Sequence, residues 1–416
     1  MVDVVLVGIQ GYAARHLDAF LERAEQGKVR IVGVVNPFPP EGETLRALQR
    51  FDVPYFTTLE SFYRVGKADL VNIASPIQFH CEQTCLALSN GSHVLCEKPI
   101  AATTDEVEKM IEYRNKYNLE VAIGYQWAYS HAIQNLKKDI VDGKFGKPIR
   151  LKSLVLWPRN KDYYARSWAG KVKDQSGRWV LDSVAANATT HFLQNMFYIV
   201  GESMNVSSLP KTVIAETYRA NEIENYDTSA IRAFTDHGVE ILFLASHTIP
   251  LSEAYGPVFE YEFEDAVVRF SGHQNWFKKE GEKATIQAIH RDGSMIDYGS
   301  PFDHEFDKID SILETIQDRM NNIPCNLEVA SAQTLCISGV QQSSSIVTIP
   351  KAEIRYDRAE RLFWVHNISE VLKQCYEDWK LPHELGINWA KCGEEINMTK
   401  NSLYQMLCSE ESPKLR

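Results

Sequence analysis

The sequence lacks a basic excess: 44 Lys and Arg stand against 55 Asp and Glu, for a net charge of −11. A surface that binds nucleic acid needs positive charge to neutralise phosphates, so broad nucleic-acid contact is not expected. Long apolar runs are also missing, with none near the ~18–20 residues that cross a bilayer, and no membrane association is expected. None of the eight cysteines forms a CxxC pair, which argues for reduced thiols rather than a disulfide or zinc framework. His80, Cys81 and Cys85 share a stretch but make an incomplete tetrahedral set, so no metal is expected. A strand pattern begins at Val2, leaving no room for a signal peptide, and a cytoplasmic location is the expectation. Internal repeats and low-complexity linkers are absent. What remains is 416 residues, 44% hydrophobic and 24% charged, a globular mixture long enough for two or three domains.

The first 124 residues alternate short apolar runs with helical patterns. Strand-like runs are Val2–Gly8, Val29–Val35, Asp69–Ala74, His93–Cys96 and Glu120–Gly124. Helical patterns fill His16–Gln26, Glu43–Phe51, Gln78–Ser89 and Thr104–Tyr117, the last opened by a capping box of Thr103 and Glu106. Val29, Ile31, Val32, Val34 and Val35 are apolar at nearly every position, which suits a strand covered on both faces in a parallel sheet. Repeated βα units with short loops predict a doubly wound α/β domain over residues 1–124.

Its first turn, Gly8-Ile9-Gln10-Gly11-Tyr12-Ala13-Ala14, joins strand to helix. Glycines there let the backbone turn tightly and approach a pyrophosphate, whose charge sits at the helix amino end. A ligand-free βα turn is the alternative. The second strand ends at Asn36, where NAD-selective domains offer an acid to the ribose. Asn repels a 2′-phosphate less than an acid does. No arginine follows within a few residues, so NAD is expected to bind at least as well as NADP.

The pattern changes after Gly124. A helix at Ser130–Val141 leads to a strand at Ile149–Trp157, then to alternating segments at Thr212–Tyr218, Ser229–Thr235, Val239–Ser246, Val258–Phe263 and Ala266–Phe270. Helices return at Asp303–Asn321 and Leu327–Ser343. This predicts an α+β domain over 125–349 with one open, mostly antiparallel sheet that binds substrate and supports oligomers. In the remaining 350–416, Val365, Ile368, Leu372, Cys375 and Trp379 form one apolar stripe of a helical extension. Packing of that stripe into the core is favoured over binding a partner.

Three more motifs complete the pattern. Ser75-Pro76-Ile77-Gln78-Phe79-His80 follows the third strand-like run, at the carboxyl end where open α/β sheets bind ligands. The next strand ends Glu97-Lys98-Pro99. Asn187-Ala188-Thr189-Thr190-His191 sets two polar side chains one helical turn apart. With these motifs in this order, residues 2–345 resemble the Gfo/Idh/MocA family. The resemblance implies a Rossmann domain, a second α/β domain with an open sheet, and a nicotinamide cofactor. It also implies that Lys98 contacts the substrate hydroxyl and the nicotinamide, and that His191 is the catalytic acid/base. Gly8, Gln10, Gly11, Tyr12, Ala13, Asn36, Ser75, Pro76, His80, Glu97, Lys98 and Gln126 are the expected cofactor positions, and Gln126-Trp127 is expected to line the cleft. The chain departs from the family where Asn187 replaces a frequent Asp, with Asp182 nearby but off that spacing, and where Gln194 replaces a frequent acid.

The chemistry also follows from residue types. Oxidising a secondary alcohol removes hydride from carbon and a proton from oxygen. A histidine, with an ordinary pKa of ~6.5, accepts that proton near neutrality. A lysine cation stabilises the developing alkoxide. The segment from Trp157 to Trp168 adds aromatic faces for sugar rings and polar tips for hydroxyls, making Tyr163, Tyr164, Arg166 and Trp168 substrate candidates with Lys98, Asn187 and His191. The expected activity is NAD(P)-dependent hydride transfer on a sugar, polyol or sugar acid. Competing readings are a cofactor-retaining redox glycosidase or lyase and a non-catalytic NAD(P)-dependent sensor. Phe259, Tyr261 and Phe263 are candidates for a sheet face that pairs two copies, and a homodimer or homotetramer is expected.

Overall fold

A computed structural model describes residues 1–271, 284–318 and 322–409. The chain divides into two compact units, one of residues 1–129 with 304–331 and one of 130–303 with 332–416.

The first unit is built on six parallel strands. These are β1 (Val2–Val7), β2 (Val29–Val35), β3 (Tyr55–Phe56), β4 (Leu70–Ile73), β5 (His93–Cys96) and β6 (Val121–Ile123), in the order 3-2-1-4-5-6. That order belongs to the dinucleotide-binding Rossmann fold, with its switch point between β1 and β4. Val4, Val5 and Leu6 of β1 and every residue of β4 are buried, as strands covered on both faces must be. Helices α1 (Tyr12–Glu25), α2 (Gly42–Arg50), α3 (Leu59–Tyr63), α4 (His80–Ser89) and α5 (Thr104–Tyr117) connect the strands. At the start of α5, Glu106 N–H donates to Thr103 Oγ1 at 3.4 Å and Thr103 N–H to Glu106 Oε2 at 3.0 Å, which closes the capping box read from the sequence. The two-residue β3 and the short α3 are too brief to show a period and were not anticipated.

The second unit holds α6 (His131–Val141), β7 (Pro148–Leu156), a short helix α7 (Lys161–Tyr164) and α8 (Thr190–Ile199). Its remaining sheet strands are β8 (Pro210–Arg219), β9 (Thr228–Thr235), β10 (Glu240–Ser246), β11 (Tyr255–Phe263), β12 (Ala266–Phe270), β13 (Ile286–His290), β14 (Met295–Gly299) and β15 (Val347–Thr348). They run in the order 14-13-12-11-7-10-9-8-15, mostly antiparallel, with β7–β10 and β8–β15 parallel. β16 (Ile354–Asp357) and β17 (Leu362–Val365) form a separate hairpin.

Four expectations change. Residues 304–331, given to the second domain by sequence, pack with the first unit, through a helix at Asp307–Gln317. The expected helix at Asp303–Asn321 is shorter, and its positions 319–321 lie outside the described residues. The 350–416 extension belongs to the second unit. Ile368 and Leu372 of its helix α9 (Ile368–Asp378), with Cys375 and Val365, join one apolar cluster with Leu154, Leu242, Leu244 and Val258 of the sheet. Phe259, Tyr261 and Phe263 are buried within the unit, and Tyr261 Oη accepts from Asn195 of α8 at 3.1 Å. These three rings therefore offer no free face for pairing two copies.

Candidate active site

In the first unit the sequence-predicted cofactor positions lie at the carboxyl ends of β1, β2, β4, β5 and β6. Gly8 has φ +92°, and a Cβ there would stand 2.8 Å from the Ala74 carbonyl oxygen, so close packing requires glycine. Gly11 has φ +59°, with open space where a Cβ would be. No side chain caps the amino end of α1, and no acid lies in its first turn, so the positive end of the helix dipole is left for an anion. A dinucleotide pyrophosphate fits this turn. Ala13 is buried under it and Gln10 is exposed. The Asn36 side chain donates to the Phe38 carbonyl at 2.7 Å, shaping the turn at the end of β2.

Several of these positions also hold the turns in place. His80 is 1% exposed, with Nδ1 2.8 Å from the Pro99 carbonyl oxygen and Nε2 2.9 Å from that of Ser75. Burial lowers its pKa, and its two contacts tie the loop after β4 to the turn after β5. Glu97 is also buried, and it meets Lys308 and the Nε2 of His16 while its own carboxyl accepts from the Lys98 N–H at 3.2 Å. Burial alone would raise the Glu97 carboxyl, but the Lys308 ammonium and His16 hold it well below the usual carboxylate range. Gly124 makes room for it, since a Cβ there would lie 2.5 Å from Glu97 Oε1. Lys98 thus leaves a backbone fixed by a buried ion pair, with its own side chain half-buried. Tyr12 Oη donates to Glu305 at 2.8 Å and to Gln126 at 3.3 Å, tying the nucleotide turn to the residue after β6. Ser75 donates to Gln83 at 2.6 Å, and Pro76 leads into the turn before α4. Trp127, expected in a cleft, is 1% exposed and belongs to the core.

In the second unit Asn187 and His191 do not share one α-helix. Val184–Ala188 forms a π-helical turn, and α8 starts afresh at Thr190 after Thr189 with φ −109°. Asn187 Nδ2 donates to Asp182 Oδ1 at 2.7 Å, and Asp182, just before that turn, accepts from the Gly170 N–H through Oδ2 at 2.6 Å. His191 is half-buried in the first turn of α8, with its ring 6.4 Å from that of Phe192. Gln194 is fully buried and turns into the core.

Tyr163 packs edge-on to Tyr164 at 5.2 Å and to Trp168 at 6.1 Å, with Arg166 4.9 Å over its ring. Burial, then the Asp182 carboxylate, raise the Tyr163 phenol; burial, then Asp227, raise that of Tyr164. Both phenols stay protonated near neutral pH, which leaves them as donors and removes them as proton acceptors. Among the described residues no group of three His, Cys, Asp or Glu could hold a metal, and no helix is long and apolar enough to cross a membrane.

The chain is similar to several known proteins. Residues 2–125 match the Gfo/Idh/MocA model, described as an oxidoreductase family with an NAD-binding Rossmann fold. The chain is 30% identical over 177 residues to 2,7-anhydro-N-acetylneuraminate hydratase of Mediterraneibacter gnavus, covering 42% of this chain and 45% of that protein. It is 28% identical over 148 residues to levoglucosan dehydrogenase of Pseudarthrobacter phenanthrenivorans, covering 35% of this chain and 37% of that one. Each match thus spans less than half of the relative's length. Among solved structures, the WlbA dehydrogenase of Chromobacterium violaceum, in complex with NADH and UDP-GlcNAcA, aligns over 82% of this chain and 92% of its own with TM-score 0.64 and 20% identity. Aldose-aldose oxidoreductase of Caulobacter crescentus aligns over 82% and 96% with TM-score 0.64 and 16% identity, a likeness of fold. Residues 2–125 thus carry the NAD-binding Rossmann unit described for the Gfo/Idh/MocA oxidoreductase family.

Proposed function

We propose that this protein is an NAD(P)-dependent oxidoreductase that moves hydride between a nicotinamide and a CH–OH group of a sugar, polyol or sugar acid. The observation that carries the reading is the Gly8–Gly11 turn, which ends at an α1 amino terminus with neither cap nor acid. The bound nicotinamide supplies the hydride acceptor. His191 takes the hydroxyl proton, and Lys98 stabilises the alkoxide as it forms. Asn187, held by Asp182, orients the polar end of the substrate, and Tyr163 and Tyr164 donate hydrogen bonds as neutral phenols. NAD is the favoured cofactor, because Asn36 stands at the ribose position with no arginine beside it. Names among the relatives, such as levoglucosan dehydrogenase, support a sugar-like substrate. A homodimer or homotetramer remains the reading drawn from the family, formed away from the buried Phe259, Tyr261 and Phe263.

A second reading has one specific support, since the relative from M. gnavus is named a hydratase. In that reading a bound nicotinamide would take hydride from the sugar and return it within one turnover, so that a leaving group could be eliminated with no net change of the cofactor. One experiment separates the two. The purified chain is mixed with excess NAD and a panel of sugars, polyols and sugar acids, and both cofactor absorbance and product are followed. Net NADH formation matched by a keto product supports the dehydrogenase. Product formation at constant NADH supports the second reading, and no redox change of cofactor or sugar across the panel contradicts both.

A further inference from the structure

The loop after β7 and the hairpin β16–β17 line an open pocket of about 380 Å³ within the second unit, inside the size range of small-ligand sites. The hairpin is fastened to the loop. Arg361 pairs with Asp162 at 2.6 Å, the Lys161 N–H donates to the Arg361 carbonyl at 2.9 Å, and the Lys161 ammonium lies 4.9 Å over Phe363. Glu360 and Leu362, both from the extension, thereby become pocket wall.

The pocket holds two guanidinium groups that face the same ring. Arg159 and Arg166 lie 5.0 and 4.9 Å from the centroid of Tyr163, and all three residues line the space. Among the described residues neither arginine has a carboxylate partner, and the Nε of Arg159 is buried without an acceptor. Of the two acids lining the pocket, Asp162 is already engaged by Arg361, which leaves only Glu360, exposed at the rim. Tyr163, the residue between the arginines, feels the Asp182 carboxylate that holds Asn187.

We propose that this pocket receives an anionic group of the substrate, a carboxylate or a phosphate, between Arg159 and Arg166, and that the C-terminal hairpin completes it. The substrate is then a sugar acid or sugar phosphate rather than a neutral sugar. This rests on the sugar reading above, but its test does not depend on turnover. Planar guanidinium groups match both anions in paired hydrogen bonds, so the chemistry is shared, and the ligands in the test tell the two apart.

The full chain is titrated calorimetrically with D-glucuronate, D-glucose 6-phosphate and D-glucose. At least one acidic ligand should bind roughly tenfold or more tightly than glucose, as charge-assisted hydrogen bonds to arginine would give. Preference for glucuronate identifies a carboxylate, and preference for the phosphate identifies that group. Arg166→Gln, at an exposed position where folding is not at stake, should abolish the preference. Glu360→Gln removes a like charge from the rim and should strengthen acidic binding. Equal or undetectable binding of all three ligands overturns the proposal, as does a preference that survives Arg166→Gln or weakens in Glu360→Gln. The hydride assay reports separately. Acid preference without hydride transfer leaves the pocket standing and removes the oxidoreductase, whereas turnover of neutral sugars without acid preference does the reverse.

Discussion

His247 lies behind Tyr163, with Nδ1 2.7 Å from the Trp157 carbonyl oxygen and its ring 6.0 Å from the tyrosine. Burial first, then the Arg159 cation, push its pKa down to about 3, against the hydrogen bond to Trp157. The imidazole is therefore neutral in the folded chain, while the unfolded chain takes up a proton below pH ~6.5. The stability this gives is complete above pH ~6.5 and is lost as pH falls through that value toward about 3. Between pH 7 and pH 5 the loss assigned to this one group is roughly 2 kcal/mol. Urea melts of the native chain and of His247→Gln at both pH values check it. The native protein should lose about that much more than the variant on acidification, and equal losses would show that His247 does not titrate this way.

The returning helix Asp307–Gln317 brings Lys308, which is fully buried, to the Glu97 carboxylate and to Tyr12 Oη at 3.3 Å. Removing one member of a buried ion pair strands the other charge. Lys308→Met should cost ~3–5 kcal/mol, and adding Glu97→Gln should restore part of it because no unpaired charge is left. Chemical denaturation of the two variants measures this, and a single variant as stable as the native chain would contradict it. None of this pairing was legible in the sequence. Glu97 was singled out by the Glu97-Lys98-Pro99 run, but its partner sits more than 200 positions later, in a helix whose pattern looks like any other. By contrast, the Rossmann strands were legible because burial on both faces leaves local apolar runs such as Val29–Val35. Asp182 was noted but lies off the α-helical spacing, and its contact with Asn187 comes from the irregular backbone just before the π turn. β13 and β14 were missed because half-exposed edge strands such as Met295–Gly299 carry little apolar signal.

Across the second unit as a whole, the extension acts as the cover of one sheet face. Leu372 is fully buried against the cluster that holds Leu154, Leu242 and Leu244, and the tail's Tyr376 and Trp379 lie under the Lys152 and Arg150 cations of β7, at 4.5 and 4.3 Å. The apolar stripe of the tail was legible from its spacing, but its target was not, because any open sheet face would satisfy the same pattern. Leu372→Ala should destabilise the protein by ~2–5 kcal/mol, the range for a leucine deleted from a packed core, and a loss below ~1 kcal/mol in urea unfolding would mean the tail is not part of that core. Single-turnover hydride transfer in His191→Ala, using a substrate identified from the panel, tests the proposed chemistry most directly. The nucleotide turn at Gly8–Gly11 is untouched by this change, so NAD affinity should stay close to native while the rate falls by ~10²–10⁴, the usual contribution of a positioned acid/base. A transfer rate equal to that of the native chain would remove His191 from the reaction and contradict the account.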